Sequence, residues 1–458
     1  MDILFKRGTV VAPSGRFRAD VGVRDGRIAL LGEDLGAEAG ELVDAGGKYI
    51  LPGAVDAHVH LSMISNGVPT ADDYFTGTRA AACGGTTTVI DYAAQRKGQG
   101  ILESVGARID MARGQACVDY AFHCILTDLH GGALLDEFGA AAAAGITSFK
   151  CFTVYKREGL MMADGDLSRV LVAAARHGIL TNVHAENADL LYSRVASFLA
   201  DGKTSAWYHY LSRPEFVEAE ADRRVVHWAK ALGVPVYLVH LACAEGLEAV
   251  AEARGQGFPV YAETCPQYLA FDSEVYKRPD GANFVCSPPI KGAASREALW
   301  RGLRTGSVST VATDHCPFTL AQKAVGHGNF VDIPNGCPGV ETMYPYMLSA
   351  AQAGKISLEK AVEVCAANPA RLFGLPTKGA VAPGLDADLV LYDPDAHVTV
   401  TQTLMHSSTD HTIWEGLSLT GYPERVYARG ALVFDRGRFT GHAGHGVYCK
   451  RVPGGALR

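Results

Sequence analysis

The chain has 458 residues, of which 48% are hydrophobic and 20% charged, and its formal net charge is −7 at pH 7. This length exceeds one ordinary core and favours two domains, unless one of them is a barrel of roughly 250–400 residues. A mildly acidic chain without a basic patch or a run of about 18 apolar residues argues against nucleic-acid and membrane partners.

The amino-terminal residues predict a small β unit. Short apolar runs at 9–11, 19–23 and 27–31 alternate with turns. An acidic residue at position 2, with no apolar segment after it, predicts a strand there rather than a signal peptide.

From Leu51 onwards, strand-like runs alternate with helix-length segments rich in Ala and Glu, which predicts a parallel sheet. Eight candidate strands lie at 54–60, 86–93, 120–126, 148–152, 180–184, 236–240, 260–263 and 310–314. Eight parallel strands close into a (β/α)8 barrel of the TIM type with a filled interior. One intervening helix is predicted at Glu215–Leu232, with Ser212 as its candidate cap and Pro214 at its start.

After about Gly374 the pattern returns to short strands, predicted at 379–381, 389–392, 397–400, 425–428 and 431–434. The simplest account is a small β-sandwich domain formed by both chain ends, 1–52 plus 375–440, with the barrel, 53–374, inserted between them. The Gly-rich, basic residues 441–458 are expected to form a disordered tail or an arm at a subunit interface.

The cysteines indicate a reducing compartment. There are 11, an odd number, scattered along the chain without a C-x-x-C pair. We therefore expect buried, reduced thiols in a cytoplasmic protein.

Polar residues fall at the ends of the candidate strands, where barrel enzymes place their chemistry. His58 and His60 are two apart on one strand, so both imidazoles face the same side. His184, His240 and Asp314 end three further strands. Four imidazoles and a carboxylate exceed the three protein ligands of one catalytic Zn2+ and favour two divalent ions about 3.5–4 Å apart.

Lys150, at the fourth strand, needs a separate explanation. A protonated ammonium would be repelled by two dications. Carboxylation by CO2 to N6-carboxylysine would turn it into an anion that bridges both metals, and a bridging hydroxide would bring the site close to neutrality. The alternative is a lysine that caps the strand and reaches solvent.

Several motifs carry a family resemblance. They are Asp56-Ala57-His58-Val59-His60, Gly84-Gly85-Thr86-Thr87-Thr88, Ser148-Phe149-Lys150, His184-Ala185-Glu186-Asn187, Thr313-Asp314-His315-Cys316-Pro317 and Pro334-Asn335-Gly336, with further matches at 44–48, 52–55, 263–268, 287–289 and 383–388. On these residues the chain resembles the amidohydrolase superfamily, and within it the hydantoinase/dihydropyrimidinase group (D-hydantoinase-like), over nearly its whole length.

The resemblance implies a metal-ligand set. One ion would be held by His58, His60, carboxylated Lys150 and Asp314, and the other by Lys150, His184 and His240. It also implies Zn2+ as the usual metal, a homotetramer or homodimer, and a cytoplasmic location. Mn2+ or Co2+ would suit similar ligands.

The implied activity is hydrolytic ring opening of small cyclic ureides or imides, either 5-substituted hydantoins or 5,6-dihydropyrimidines, to N-carbamoyl amino acids by a metal-bridging hydroxide. Tyr155 matches the position whose phenol stabilises the oxyanion. Asp314 would carry the proton from water to the leaving nitrogen. Ser287 and Asn335 match positions where backbone groups recognise the imide edge.

Other residues have open or structural interpretations. Met63, Ile64 and Phe152 follow strands one and four and are candidates for the pocket of the exocyclic substituent, with plain packing as the alternative. His315 is predicted to support the site, His123 to be a hydrogen-bonded core residue, and Cys316 to line the pocket. Glu186 and Glu263 are predicted either to accept hydrogen bonds from the ligand histidines or to form structural pairs.

Two related activities and one non-catalytic role compete with this interpretation. Dihydroorotases usually carry an Arg soon after the H-x-H motif, whereas His60 is followed here by Leu61-Ser62-Met63-Ile64-Ser65. The long span 151–164 also fits hydantoinases better than dihydroorotase or allantoinase. Non-catalytic scaffold relatives have lost metal ligands, and this chain keeps all six.

Overall fold

The structure, a computed structural model, describes residues 1–36, 38–65, 67–326 and 328–457. Arg458, the end of the predicted carboxyl-terminal arm, lies outside these residues. None of the helices in the described ranges combines the length and apolar character needed to cross a membrane.

All eight predicted barrel strands are present among the described residues, in one parallel sheet. They run over Ala54–Val59, Thr86–Ala94, Asp119–Ile125, Ser148–Phe152, Leu180–His184, Val236–Leu238, Val260–Thr264 and Thr310–Val311. Each strand pairs with the next in chain order, as parallel sheets built from β-α units do. The predicted TIM-type fold is therefore confirmed.

Polar contacts close the barrel between its first and eighth strands. The backbone N–H of His60 donates to the carbonyl of His315 at 2.8 Å, and Val59 and His315 form a parallel bridge. Asp56 reinforces the seam, because its Oδ1 accepts from the backbone N–H of Thr313 at 3.0 Å and its Oδ2 from the Thr313 hydroxyl at 2.6 Å.

The sixth and eighth strands end earlier than predicted, at Leu238 and Val311. Beyond them, His240 and Asp314 have positive φ angles of 38° and 50°. A left-handed residue cannot continue a β ladder, since its carbonyl and N–H turn away from the neighbouring strand. The predicted ligands therefore lie on the bends that follow the strands.

Helices cover the outside of the barrel. They run over Tyr74–Cys83, Ile101–Ala112, Phe138–Ala143, Asp164–Arg176, Ala188–Ala200, Ala206–Ser212, Glu215–Leu232, Ala244–Gly255, Pro266–Ala270, Ala293–Thr305, Leu320–Ala324, Met343–Gln352, Leu358–Val362 and Asn368–Phe373. Because helices cover one face of the strands and side chains fill the interior, strands such as Thr86–Ala94 are buried on both faces.

The helix Glu215–Leu232 has its predicted bounds, but its predicted cap is wrong. Ser212 ends the preceding helix, Ala206–Ser212, and its hydroxyl donates to the carbonyl of His209 at 2.8 Å. Pro214 takes the cap position instead, without a side-chain hydrogen bond. A proline fits there because the first N–H groups of a helix have no intrahelical partner.

Both chain ends build a second, mostly antiparallel sheet. Its described strands are Ile3–Ala12, Gly15–Arg24, Arg27–Gly32, Glu41–Asp44, Tyr49–Pro52, Leu389–Thr399, Ser418–Ala428, Ala431–Asp435 and Arg438–Phe439. The two ends meet where Tyr49–Pro52 pairs with Leu389–Thr399. We retain the division into 1–52 plus 375–440 around 53–374 as a proposal.

Two details of this sheet differ from the prediction. The runs at 389–392 and 397–400 belong to one long strand, with an irregular register between Asp393 and His397. The run at 379–381 is not a strand, because Gly379 has a φ of 84° and packs closely against the carbonyl of Ala366, which makes a turn.

The segment from Gly441 to Leu457 runs along the barrel of its own chain, rather than leaving it as a tail. The backbone N–H of Cys449 donates to the carbonyl of Tyr120 at 2.7 Å. The buried guanidinium of Arg451 donates to Ser148 Oγ at 2.8 Å and to the carbonyl of Phe122. These contacts fix the segment to strands three and four. A place at a subunit interface stays a prediction.

Candidate metal centre and active site

A cavity of about 460 Å3 opens at the carboxyl ends of the barrel strands. Its lining includes all twelve site residues predicted from the sequence: His58, His60, Met63, Ile64, Lys150, Phe152, Tyr155, His184, His240, Ser287, Asp314 and Asn335. These residues come from segments up to 277 positions apart, from His58 to Asn335, and the barrel brings them together.

His58, His60 and Asp314 form one side of the site. Oδ1 of Asp314 lies 3.2 Å from Nε2 of His58 and 3.1 Å from Nε2 of His60. Burial lowers the pKa of His58 well below its ordinary value. Burial alone would raise the pKa of Asp314, but the neighbouring histidines and Lys150 outweigh it and bring that pKa to about 2. His58 therefore offers a neutral imidazole nitrogen and Asp314 an ionised carboxylate, the forms that bind metals.

His184 and His240 form the opposite side, with ring centroids 4.4 Å apart. Burial lowers the pKa of both imidazoles. Nε2 of His184 lies 2.8 Å from a carboxylate oxygen of Glu186, so that nitrogen carries the proton and Nδ1 keeps the free lone pair. A buried guanidinium nitrogen of Arg213 lies 2.5 Å from the same carboxylate oxygen.

Lys150 lies between these two sides and is 2% exposed. Its Nζ is 4.9 Å from the ring centroid of Tyr92 and 5.2 Å from that of Phe152. Burial lowers the pKa of Lys150 to about 8, against the opposing effect of nearby carboxylates. At 2% exposure the side chain does not reach solvent, so that alternative is wrong, and the lowered pKa favours the neutral amine.

Three buried imidazole nitrogens at this site have no hydrogen-bond partner in the described structure: Nε2 of His58, Nδ1 of His60 and Nδ1 of His240. Buried polar atoms are normally paired, because an unpaired one costs about 1–3 kcal/mol. Ligand atoms of His58, His60 and Asp314 also lie within 4.8 Å of one another. The residues present therefore fit divalent metal ions.

Glu263 supports the site from below. Its Oε1 lies 2.7 Å from Nδ1 of His58, and its Oε2 accepts from the phenol of Tyr237 at 2.8 Å. Burial raises the pKa of Glu263 to about 8, and a dication nearby would favour its ionised form. Of the two predicted roles for Glu186 and Glu263, these contacts favour orientation of a ligand.

Sequence reasoning missed three residues of this supporting layer. Arg213 has no role in the sequence prediction, although its guanidinium pairs with Glu186. Tyr237 is predicted only as part of the sixth strand, 236–240. Asp56 stood in a quoted motif without a role, although it joins strands one and eight. The available signal was their residue type and position, because each is a polar residue in or near a strand that carries a proposed ligand.

The substrate side of the cavity contains Tyr155, Ser287 and Asn335. Tyr155 has a φ of 66°, and burial raises the pKa of its phenol, which therefore stays protonated and able to donate. The hydroxyl of Ser287 donates to Oδ1 of Asn335 at 2.9 Å. This contact joins two loops that are 48 residues apart, and both residues line the cavity.

An apolar wall completes the cavity. Phe152 and the partly exposed Met63 line it as predicted, together with Ile64, whose exposure of 73% places it at the mouth. Ile125 and Leu160, which the sequence did not single out, lie on the same wall. Apolar side chains here suit an alkyl or aryl group better than a charged one.

His123 and His315 have the structural contacts predicted for them. His123 lies 2.5 Å from the Ser148 hydroxyl and 2.9 Å from the carbonyl of Ala57. Nε2 of His315 lies 3.0 Å from Asp72, while its Nδ1 accepts from a backbone N–H. Cys316 lines the cavity, and burial raises its pKa well above the ordinary value, so its thiol is no nucleophile.

Comparisons with known proteins agree with this geometry. The sequence profile of the Amidohydrolase family matches residues 49–433. D-hydantoinase from Rhizobium radiobacter is 41% identical over 455 residues, covering 98% of this chain and 99% of that protein. The crystal structure of dihydropyrimidinase from Brevibacillus agri has a TM-score of 0.97 at 39% identity, covering 99% of both chains. The L-hydantoinase (dihydropyrimidinase) structure from Arthrobacter aurescens has a TM-score of 0.90 at 29% identity, covering 98% of this chain and 100% of that one.

Proposed function

The chain belongs to the amidohydrolase family, and we propose that it is a cyclic amidohydrolase that opens 5-substituted hydantoin or 5,6-dihydropyrimidine rings, or both, to N-carbamoyl amino acids. The observation that carries this proposal is the shared cavity, which is lined both by the six side chains proposed as metal ligands and by apolar side chains. Its volume of about 460 Å3 suits a small ring with one substituent.

The ligand set that we propose is His58, His60, Lys150 and Asp314 for one divalent ion, and Lys150, His184 and His240 for the other. When bound, such a pair supplies a hydroxide at neutral pH and polarises the carbonyl under attack. We propose Zn2+ because neutral imidazole and carboxylate suit it, while Mn2+ and Co2+ accept the same ligands.

Lys150 is proposed to be N6-carboxylysine. Its neutral amine attacks CO2, an N–C bond forms and one proton leaves, so a potential cation becomes an anion. The lowered pKa of Lys150 supports this step, since only the unprotonated amine has a free electron pair. A carbamate at this buried position also offers one oxygen to each side of the site.

The protein groups then complete the chemistry. As a C–O bond forms at the ring carbonyl, the phenol of Tyr155 donates to the developing oxyanion. Asp314 takes the proton released by the attacking water and delivers it to the ring nitrogen as the C–N bond breaks. The loops of Ser287 and Asn335 hold the imide edge, which fixes the carbonyl in place.

A direct test compares four substrate classes on one preparation of measured metal content. These are 5-monosubstituted hydantoins of both hands, dihydrouracil, dihydroorotate and allantoin. We expect the highest kcat/KM on a hydantoin or on dihydrouracil. A preference for dihydroorotate or allantoin would replace the proposal with one of those activities, and an inactive protein without stoichiometric metal would favour a scaffold.

We also propose an oligomeric state and a cellular location. The family resemblance supports a homotetramer, and light scattering of the purified protein measures its mass. A cytoplasmic location is supported by the cysteines, which are all unpaired in the structure, ten of them buried.

A further inference from the structure

A second cluster of metal-ligating side chains lies outside the barrel. It consists of Cys83 at the end of the helix Tyr74–Cys83, Glu341 just before the helix Met343–Gln352, and His406 in the loop after Leu404. A thiol sulfur, a carboxylate oxygen and an imidazole nitrogen of this trio lie within 4.8 Å of one another. The ligand atoms of His58, His60 and Asp314 in the candidate active site also lie within 4.8 Å of one another.

Glu341 holds the loop in place. Its Oε1 lies 2.7 Å from Nδ1 of His406, and its Oε2 accepts from the backbone N–H of the same residue at 2.7 Å. The guanidinium of Arg79 donates to the carbonyl of His406, with its Nε at 3.0 Å. The imidazole is therefore fixed against the helix end, rather than free to turn towards solvent.

The three groups differ in their access to solvent. Cys83 is fully buried and Glu341 is 4% exposed, while the His406 side chain is 22% exposed. His406 also lines a cavity of about 710 Å3 that borders the chain-end sheet. An ion could therefore enter past the imidazole, and water from the cavity could complete its coordination.

The chemistry of this trio is that of a zinc site. Thiolate, imidazole and carboxylate bind Zn2+ at roughly 2.0–2.3 Å, so the ligand atoms around one tetrahedral ion lie about 3.3–3.8 Å apart. The ligand atoms of the trio lie within 4.8 Å of one another, so they would close by up to about 1 Å around the ion. A dication would also offset the two negative charges that a thiolate and Glu341 bring together.

A catalytic thiol fits this place poorly. Cys83 has no exposed surface, and burial, helped by the charge of Glu341, raises the pKa of its thiol. A nucleophilic cysteine needs the opposite, namely a lowered pKa and access to a substrate.

One other mixed cluster exists in the described part of the chain, formed by Glu218, Asp222 and Cys243. There, Nζ of Lys291 already lies 3.2 Å from Oε2 of Glu218 and occupies the place of a cation. Around Cys83, the nearby guanidinium of Arg79 is instead engaged with a backbone carbonyl. The first cluster is therefore the better metal site.

We propose that Cys83, Glu341 and His406 form a third, structural divalent-cation site that takes Zn2+, separate from the catalytic pair. On binding, the Cys83 thiol loses its proton to solvent as the metal–sulfur bond forms. The ion would then join a barrel helix to the loop that leads into the chain-end sheet. Its loss should lower stability and leave the catalytic cavity unchanged.

Cobalt reports on this site separately from the catalytic pair, because thiolate–Co2+ coordination absorbs in the near ultraviolet and the proposed catalytic ligands include no thiol. The full-length protein is stripped of metal and titrated with Co2+. We expect the protein to bind a third equivalent of Co2+, with a near-ultraviolet charge-transfer band from the thiolate. The band should vanish in Cys83→Ser and persist in Cys117→Ser, which alters another buried thiol.

Four results would overturn the proposal. These are saturation at two equivalents of Co2+, a third equivalent without the band, a band that survives in Cys83→Ser, and a band that instead disappears in Cys316→Ser. Because turnover is not the readout, failure here is distinguishable from failure of the proposed ring-opening activity.

A second variant covers the case in which Cys83→Ser does not fold. His406→Asn removes the partly exposed ligand, and His397→Asn alters an exposed histidine of the same cavity. His406→Asn should lower the affinity for the third equivalent of Co2+ by at least about 10-fold. Loss of a residue that only orients a ligand already lowers metal affinity by about 10–100-fold, and His406 is a proposed ligand itself. Equal affinities in the two variants would contradict the proposal.

Discussion

The carboxylate of Glu263 lies 2.7 Å from Nδ1 of His58. Both oxygens of Glu263 accept from other groups, and a dication nearby would favour its ionised form, which places the proton on Nδ1 and the free lone pair of His58 on Nε2. Nε2 is the atom that faces Asp314, at 3.2 Å. Oε1 of Glu263 also accepts from the backbone N–H of His240 at 3.0 Å, so one side chain orients ligands of both proposed ions.

Replacement of Glu263 should therefore weaken metal binding without removing a ligand. We expect Glu263→Gln to lower metal affinity by about 10–100-fold, the usual effect of losing an outer-shell partner. Metal content after dialysis against graded chelator measures the effect. Glu248→Gln, at an exposed glutamate, is the control. Unchanged retention in Glu263→Gln would show that the contact does not orient the ligand.

Lys150 should be essential for the binding of both proposed metal ions. We expect Lys150→Ala to lose bound metal and turnover together, because the proposed carbamate supplies an oxygen to each ion. A short carboxylic acid such as propionate should restore part of both, since it fills the vacated space with a carboxylate. Lys378→Ala, at a buried lysine outside the cavity, controls for loss of folding. Normal metal content in Lys150→Ala would rule out the bridging role.

Tyr155 should act on the rate more than on binding. We expect Tyr155→Phe to lower kcat by about 10²–10³-fold with a smaller change in KM, as for the loss of one oxyanion donor. Tyr210→Phe, at a ring that packs against Tyr276 outside this cavity, is the matched control. A Tyr155→Phe enzyme with normal kcat would remove the phenol from the mechanism.

The apolar wall should select among substituents. Phe152 is 7% exposed and packs with Ile125, so truncation to Ala enlarges the cavity there. We expect Phe152→Ala to raise kcat/KM for bulky 5-aryl hydantoins relative to 5-methylhydantoin, by about 10-fold or less given the size of one apolar contact. Leu190→Ala, at an exposed apolar residue, serves as the control. An unchanged ratio would make Phe152 a packing residue only.

The barrel, and the meeting of the predicted site residues in one cavity, could be predicted because both depend on local patterns. Short apolar runs mark strands, and a polar residue at the end of such a run marks the catalytic face. Arg213 and Tyr237 could not be placed this way, since their roles depend on side-chain contacts with Glu186 and Glu263, which lie 27 and 26 residues away in the chain. The path of the carboxyl terminus was missed for the same reason, because Gly-rich sequence does not reveal what it packs against.

Asp72 links the loop of the eighth strand to the chain-end region. Oδ2 of Asp72 lies 3.0 Å from Nε2 of His315, and its carboxylate also accepts from Ser407 and from the backbone N–H of Ser408. Burial alone would raise its pKa, but these donors prevail and lower it to about 2 from an ordinary 3.8. The folded state therefore holds the ionised form more tightly than the unfolded state does.

The sign of the pH effect follows from this shift. Because the folded pKa is the lower one, the contribution of Asp72 to stability is fully present above about pH 4 and is lost as the pH falls towards 2. The size is about 2 kcal/mol, from a shift of nearly two pKa units. We expect Asp72→Asn to be less stable than the native chain near pH 6, with a difference that narrows below pH 4. Urea unfolding of both proteins in the same metal state measures it, and Asp110→Asn, at an exposed carboxylate, should show no such convergence. A difference independent of pH would assign the loss to packing instead of to the charge of Asp72.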